Sequence, residues 1–373
     1  MSKIWGSDVI PKKKCMIALG IRPDIIRFSL IIKELEQYFD TKIVMSGQHY
    51  SPYFTDLQFD QMKLRKPDIN LEVGSGSHAE QVGGLMIKFE KTLIENAPDF
   101  CCLLGDNNST LGFALAAYKK GVPIVHIEGG MRSWDMRMPE ERNRKLVDQM
   151  SQLHFVYTRE HKNNLLNMSI DSRDIFVVGN PIIDVVNEYR VLTNDSILKK
   201  LKIESKEYIL VTCHRAENVD AQDVLESIIE GLYFVHSESK LPIIFIMMPR
   251  TKKRLEEFKI ALPEGIIVSE PLGFMDFLAL EEGAKLIITD SGTVVEEAYA
   301  LKKPCMTIRE TTERFELVEE GVNLLSGIDC YAIADAAKIL LKNDSFDWRE
   351  DIYERNVAEK IAMILLSNWL ETV

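Results

Sequence analysis

Gly105-Asp106-Asn107-Asn108-Ser109-Thr110, an apolar helix-like run, and then Val122-Pro123-Ile124-Val125-His126-Ile127-Glu128-Gly129-Gly130 decide the reading of this chain. Asp99–Leu104, just before, is a short apolar run holding a Cys pair, the pattern of a buried strand. Ile124–Ile127 is a second such strand. Asp106 and Glu128 therefore stand where two strands end. In open parallel sheets, ligands bind beyond the carboxyl ends of the strands, so both acids are expected to face one crevice. A polar loop then leads to Met138-Pro139-Glu140-Glu141-Arg142-Asn143-Arg144. Pro139 suits the first turn of a helix, and Glu140 and Arg144 fall four apart on one face of it. Three carboxylates, His126 and Arg144 converging on one place point to acid/base chemistry. The plainer alternative is that Asp106 caps the helix starting near Asn108 and that Glu140 and Arg144 form a surface pair.

The 373 residues are enough for two α/β domains. Hydrophobic content of 46% with 27% charged residues is that of a soluble globular protein. A net charge of −12 gives no electrostatic support to nucleic-acid binding. The six cysteines form no C-x-x-C pair and read as reduced core residues of a cytoplasmic protein. Lys12–Lys14 precede an apolar run ending at Arg22, too short for a signal peptide. No run reaches the roughly 18 residues of a membrane span, so no membrane insertion is expected.

Outward from the central stretch, strand and helix patterns alternate. Cys15–Gly20 is a strand leading to Ile21-Arg22-Pro23-Asp24-Ile25-Ile26-Arg27. Pro23 opens a helix there, and a glycine turn at a helix start can hold an anion, helped by Arg22 and Arg27. Solvated helix charges are the alternative for the two arginines. No G-x-G-x-x-G is present, so no dinucleotide fingerprint exists. Thr41–Ser46 is a strand, followed by Gly47-Gln48-His49. Ser77 and Glu80 stand at capping-box spacing before a helix to about Asn96. Strands at Leu153–Val156 and Ile175–Val178 complete the first series. The polar stretch 187–206 marks a boundary. A second series has strands Tyr208–Thr212, Ile243–Met247, Ile266–Val268, Leu286–Thr289 and Cys305–Ile308, with helices at 221–237, 251–260, 274–283, 293–301 and 330–342. A terminal helix spans roughly 351–371. Such alternation predicts doubly wound parallel sheets.

Polar punctuation again falls at strand ends in this half. His214, beside Arg215, is structural or a phosphate contact. Phe274 is a base-stacking ring or core. In Thr289-Asp290-Ser291-Gly292-Thr293, backbone N–H groups and Ser291 suit a diphosphate. Glu297, a turn into the next helix, suits ribose hydroxyls. Arg309 and Arg314 add cations.

These motifs together resemble the non-hydrolysing UDP-N-acetylglucosamine 2-epimerases. The resemblance is carried by Gly20-Ile21-Arg22-Pro23-Asp24, Gly47-Gln48-His49, Gly74–Gln81, Gly105–Thr110, His126–Gly130, Met138–Arg144, His214–Asn218, Asp290–Thr293 and Arg309–Arg314, in family order. It implies a GT-B fold, two doubly wound Rossmann-like domains facing a central cleft, with boundaries here taken as 1–190, 191–350 and a returning C-terminal helix 351–373. It also implies a homodimer, no metal and no cofactor. The catalytic positions of the family fall on Asp106, Glu128, Glu140 and His214, with Arg144 alongside. UDP contacts of the family fall on Arg22, His214, Phe274, Ser291, Gly292 and Glu297; Arg27, Arg215, Thr293 and Arg314, cations and a turn residue beside them, complete the expected binding set. Gln48 and His49 resemble part of an effector site for a second UDP-sugar.

The activity so implied is reversible conversion of UDP-GlcNAc to UDP-ManNAc for cell-surface polysaccharide precursors. The family route eliminates UDP to a 2-acetamidoglucal and adds it back with C2 inverted, which needs no hydride carrier. Met248-Pro249 stands where the family usually has His-Pro, and Gly292-Thr293 where it usually has Gly-Gly. The second form is shared by relatives acting on diacetamido-uronate or 6-deoxy UDP-HexNAc sugars. A 2-epimerase of such a sugar, a GT-B glycosyltransferase and a non-catalytic nucleotide-sugar sensor are the alternatives.

Overall fold

The computed structural model describes residues 11–47, 52–343, 345–349 and 352–367. Two compact units share the chain. One comprises residues 1–130, 138–179 and 356–373; the other comprises 131–137 and 180–355.

In the first unit the order is β1 (Lys14–Leu19), α1 (Arg22–Tyr38), β2 (Asp40–Met45), α2 (Pro52–Gln61), β3 (Ile69–Asn70), α3 (His78–Asn96), β4 (Phe100–Leu104), α4 (Asn108–Lys120), β5 (Ile124–Ile127), α5 (Pro139–Met150), β6 (Leu153–Val156), α6 (Arg159–Leu166) and β7 (Ile175–Val177). The strands pair in parallel in the order β3-β2-β1-β4-β5-β6-β7. Every residue of β4, β5 and β6 is buried. Helices cover both faces of a doubly wound sheet, so its central strands read as unbroken apolar runs. Phe89 and Phe113, on α3 and α4, meet edge to face with centroids 4.7 Å apart, closing the core of one face.

The second unit runs α7 (Pro181–Tyr189), α8 (Ser196–Leu201), β8 (Ile209–Thr212), α9 (Ala216–Val219), α10 (Gln222–Ser239), β9 (Ile243–Ile246), α11 (Pro249–Phe258), β10 (Ile266–Ser269), α12 (Phe274–Gly283), β11 (Leu286–Thr289), α13 (Gly292–Ala300), β12 (Cys305–Thr307), α14 (Phe315–Glu319), β13 (Asn323–Leu325) and α15 (Cys330–Lys342). Its strands are also parallel, in the order β10-β9-β8-β11-β12-β13. Thus each unit is a doubly wound, Rossmann-like layer, and the pair makes the GT-B class expected from sequence. The chain then returns to the first unit as α16 (Val357–Leu366), which packs against α1 through buried Ile361, Ala362 and Leu365.

The boundary differs from the expected 190/191. Helix α7 belongs with the second unit because it packs on α13, and Tyr189 meets Phe274 edge to face at 6.2 Å. The segment 131–137, between β5 and α5, also belongs there, where Arg137 pairs with Glu310 at 2.9 Å. The returning segment starts at 356 rather than 351. Edge strands β3 and β13 were not foreseen. They have two and three residues, and Asn occupies one position of each, so neither carries the apolar run that marks a central strand. All six cysteines are free and buried. Among the described residues no helix is long and apolar enough to cross a membrane.

Candidate functional site

Strand order reverses between β1 and β4 in one sheet and between β8 and β11 in the other. At such a switch point the crossover helices go to opposite faces and leave a crevice at the strand ends. The polar motifs follow these strands.

In the first unit, Leu104 of β4 is in register with Ile127 of β5, so Asp106 and Glu128 leave adjacent strand ends. Asp106 does not cap α4. That task belongs to Asn107, whose side chain accepts the N–H groups of Ser109 at 2.9 Å and Thr110 at 3.1 Å. Asp106 Oδ2 instead lies 2.5 Å from Arg144 Nη2, and its backbone carbonyl accepts from the Asn143 amide at 2.9 Å. These two contacts tie the start of α5 to the end of β4. Arg144 is 2% exposed and is also held by Glu141 at 2.9 Å. Its partner one turn away is therefore Glu141, rather than Glu140. Removing one partner of such a buried pair leaves an uncompensated charge, at about 3–5 kcal/mol. Glu140 is half-buried at the first turn of α5, one turn before Arg144 on the same face.

Glu128 has φ of +77°. A non-glycine residue in this left-handed region costs on the order of 1 kcal/mol and persists only where its surroundings impose it. Here the N–H groups of Glu128 and Gly129 both donate to the Phe155 carbonyl, at 3.0 and 3.3 Å. The Glu128 side chain is buried and forms an ion pair with Arg27, while Tyr157 donates to it at 2.9 Å. Arg27, expected to meet ligand, is thus 6% exposed and engaged with a catalytic candidate.

His126 does not project toward a ligand. It is buried inside β5, with Nδ1 2.9 Å from Asp148 Oδ1 and Nε2 2.9 Å from the Gly105 carbonyl. It is a strut between α5 and the residue preceding Asp106. Asp24 is buried at the start of α1, where its carboxylate accepts the N–H groups of Gly20 and Ile21, each at 2.9 Å. Those amides, expected to meet an anion, are therefore occupied by Asp24. Burial pushes the Asp24 carboxyl up to about 6; the Ile21 N–H and the Arg27 charge oppose the rise and the Asp106 charge adds to it. Arg22 is half-buried in the first turn of α1.

In the second unit, Asp290 follows β11, is fully buried, and organises the loop after β8. Its Oδ2 accepts the N–H groups of His214 and Arg215, each at 2.8 Å, and the Asn218 amide at 3.2 Å. Its Oδ1 lies 3.2 Å from His214 Nδ1, and the His214 ring keeps 38% of its surface exposed. The Ser291 N–H goes to the Thr289 hydroxyl at 3.0 Å. Helix α13 begins at Gly292, so the Gly292 and Thr293 amides have no acceptor within the helix. A Cβ on Gly292 would stand 2.8 Å from Glu313 Oε1 and 2.9 Å from Arg314 Cζ, so a side chain there would displace the end of one of them.

Arg314 is 3% exposed and bonded to Glu296 and Glu313, at 2.9 and 2.8 Å. Arg309 also reaches Glu313, at 2.9 Å, and Arg215 does so at 3.4 Å. Phe274 is 4% exposed against Tyr189, a core position rather than an open platform. Glu297 is buried beside Glu281; burial first, then the Glu297 charge, push the Glu281 carboxyl far up. Gln48 and His49 lie outside the described residues. Sequence reasoning missed Tyr157, Asp148, Asn218 and Glu313 as parts of these arrangements. A Tyr after an apolar strand reads as core, and nothing local to Glu313 reports that three arginines surround it.

A family model described as UDP-N-acetylglucosamine 2-epimerase matches residues 33–366. The chain is 41% identical to the UDP-N-acetylglucosamine 2-epimerase of Methanocaldococcus jannaschii over 366 residues, 94% of this chain and 98% of that one. It is 35% identical to the UDP-2,3-diacetamido-2,3-dideoxy-D-glucuronate 2-epimerase of Pseudomonas aeruginosa, over 88% of this chain and 92% of that one. The crystal structure of the M. jannaschii enzyme in complex with UDP-GlcNAc and UDP is similar with a TM-score of 0.90 at 41% identity, covering 95% of this chain and 99% of that one. The Neisseria meningitidis UDP-GlcNAc 2-epimerase bound to UDP-GlcNAc gives 0.86 at 28% identity, over 95% and 100%.

Proposed function

This chain belongs to the UDP-N-acetylglucosamine 2-epimerase family, and from that premise we propose that it inverts C2 of UDP-GlcNAc to give UDP-ManNAc, reversibly. The observation that carries the reading is the pair of acids at adjacent strand ends, Asp106 on Arg144 and Glu128 on Arg27 and Tyr157. A guanidinium stands against each, Arg144 at Asp106 and Arg27 at Glu128, and the Tyr157 hydroxyl donates to Glu128 as well.

The C2 proton of a sugar is weakly acidic, so direct removal is slow. On our reading a carboxylate takes that proton while the C1–O bond breaks and its electron pair leaves with UDP, giving a 2-acetamidoglucal. UDP oxygen then attacks C1 again, and a proton is delivered to the opposite face of C2. The acid/base work falls on Asp106, Glu128 and Glu140. Arg22, His214 and the Ser291–Thr293 turn serve departing UDP, and Glu297 serves its ribose. Arg144 and Arg314 act by holding carboxylates. We extend the reading to a cytoplasmic homodimer supplying polysaccharide precursors.

The test is incubation with UDP-GlcNAc in deuterated water, followed by NMR. An epimerase places deuterium on C2 of substrate and product; a glycosyltransferase or a sensor leaves C2 protonated. Absence of label across a panel of UDP-HexNAc sugars sinks the reading. A second reading, a diacetamido-uronate substrate, draws on the Gly292-Thr293 turn and the P. aeruginosa relative. The same panel separates the two by relative kcat/KM.

A further inference from the structure

Tyr157 follows β6, is fully buried, and touches two charged groups. Arg27 Nη2 donates to its oxygen at 3.0 Å, and its hydroxyl donates to Glu128 Oε2 at 2.9 Å. The direction is forced by chemistry. A guanidinium has donors only, so the tyrosine oxygen accepts from Arg27 and the single hydroxyl proton points at the carboxylate. Arg27 also pairs with the same Oε2. Two donors from two different elements therefore converge on one oxygen and fix the plane of the carboxylate. The backbone repeats this arrangement, because the Phe155 carbonyl, two residues earlier on the same side of β6, accepts both N–H groups of Glu128 and Gly129. That strand end thus holds Glu128 at its main chain and at its side chain, in a backbone conformation with φ of +77°.

We propose that Tyr157 is a positioning residue for the epimerisation, its hydroxyl aiming the Glu128 carboxylate at the carbon that exchanges its proton. The inference rests on the activity proposed above and deepens it by giving Tyr157, which stands there only as a contact of Glu128, a role in the reaction. A hydroxyl bonded to a buried carboxylate contributes to kcat through orientation.

Tyr157→Phe removes one oxygen and keeps the ring. Expected is a fall in kcat of about ten- to a hundredfold, with KM for UDP-GlcNAc within about twofold. UDP binding by calorimetry and the melting temperature stay near those of the unsubstituted protein. In a Glu128→Gln background the same change costs nothing further, because its target is gone. An unchanged kcat overturns the proposal, and so does a parallel loss of kcat, UDP affinity and melting temperature. Should the Phe protein not fold, 3-fluorotyrosine at position 157 keeps shape and hydroxyl but strengthens the donor. A change in kcat of about threefold or more at constant KM supports the proposal, and none overturns it. If the unsubstituted protein places no deuterium on C2, the activity itself is wrong and this inference falls with it. If it does so and Tyr157→Phe matches it, only the inference falls.

Discussion

Arg144 Nη2 stands 2.5 Å from Asp106 Oδ2, joining the first helix after the polar loop to the end of the central strand β4. Glu141 holds the other side of the same guanidinium. A catalytic candidate is thereby fixed by a side chain that is itself fixed. Asp106→Asn keeps size and removes charge. Turnover is expected to fall by at least about a hundredfold, with the affinity for UDP measured by calorimetry unchanged. Full activity in this variant would remove Asp106 from the mechanism.

Replacing the cation is expected to act on stability as well. Arg144→Gln strands two carboxylates, one of them on fully buried Glu141, and should cost about 3–5 kcal/mol. Arg144→Lys keeps the charge but not the fork, and should recover only part of that loss. Urea unfolding of the three proteins ranks them; equal midpoints would mean that the pair contributes nothing.

Asp290 offers one oxygen to three donors on the loop carrying His214. Asp290→Ala leaves those three donors without their acceptor. The loop should lose its fixed position, and UDP should bind about tenfold or more weakly, by the cost of unmet buried donors. Isothermal titration with UDP alone is the measurement, and unaltered affinity counts against a nucleotide role for this loop.

Gly292→Ala tests the close approach between the start of α13 and the Glu313–Arg314 pair. The added methyl group meets both side chains under 3 Å, so one must move. Overpacking of this kind costs about 1–3 kcal/mol, and weaker UDP binding should accompany it. A variant as stable and as tight-binding as the parent would show the turn to be adaptable.

Two buried acids make stability depend on pH. Burial raises Glu316 from 4.5 to about 7, although the Tyr353 hydroxyl opposes the shift, and raises Asp24 from 3.8 to about 6. Both pKa values are higher in the folded than in the unfolded chain. Their contribution is full below the unfolded values and is lost as pH rises through the folded ones. The melting temperature should therefore decline between about pH 4.5 and pH 8. Glu316→Gln should flatten the upper part of that fall, and an unchanged slope would refute the assignment.

Much of the fold is legible locally. Strands β4, β5, β6, β8 and β11 are short apolar runs ending in Gly, Asp, Glu or other polar residues, and each lies within a residue of its expected bounds. The Ser77–Glu80 capping box forms as its spacing requires, with reciprocal bonds of 3.3 and 2.8 Å. Pro139 opens α5. These features depend on neighbours within about four positions, which a sequence displays directly. The edge strands and the unit boundary depend on what packs against them, and were misplaced or missed.

The chain by itself determined the alternation of strand and helix, hence two parallel sheets with polar groups at their carboxyl ends, because burial on both faces demands unbroken apolar strands. It also determined which residues stand at those ends. Tertiary structure alone decided their partners. Arg144 turns to Asp106 and Glu141, Arg27 to Glu128 through Tyr157, and His126 inward to Asp148. A buried charge must find its counter-charge wherever the fold brings one, and in three of these contacts the distance along the chain is 22 residues or more. No local pattern encodes such a meeting; only the packed sheet and its helices do.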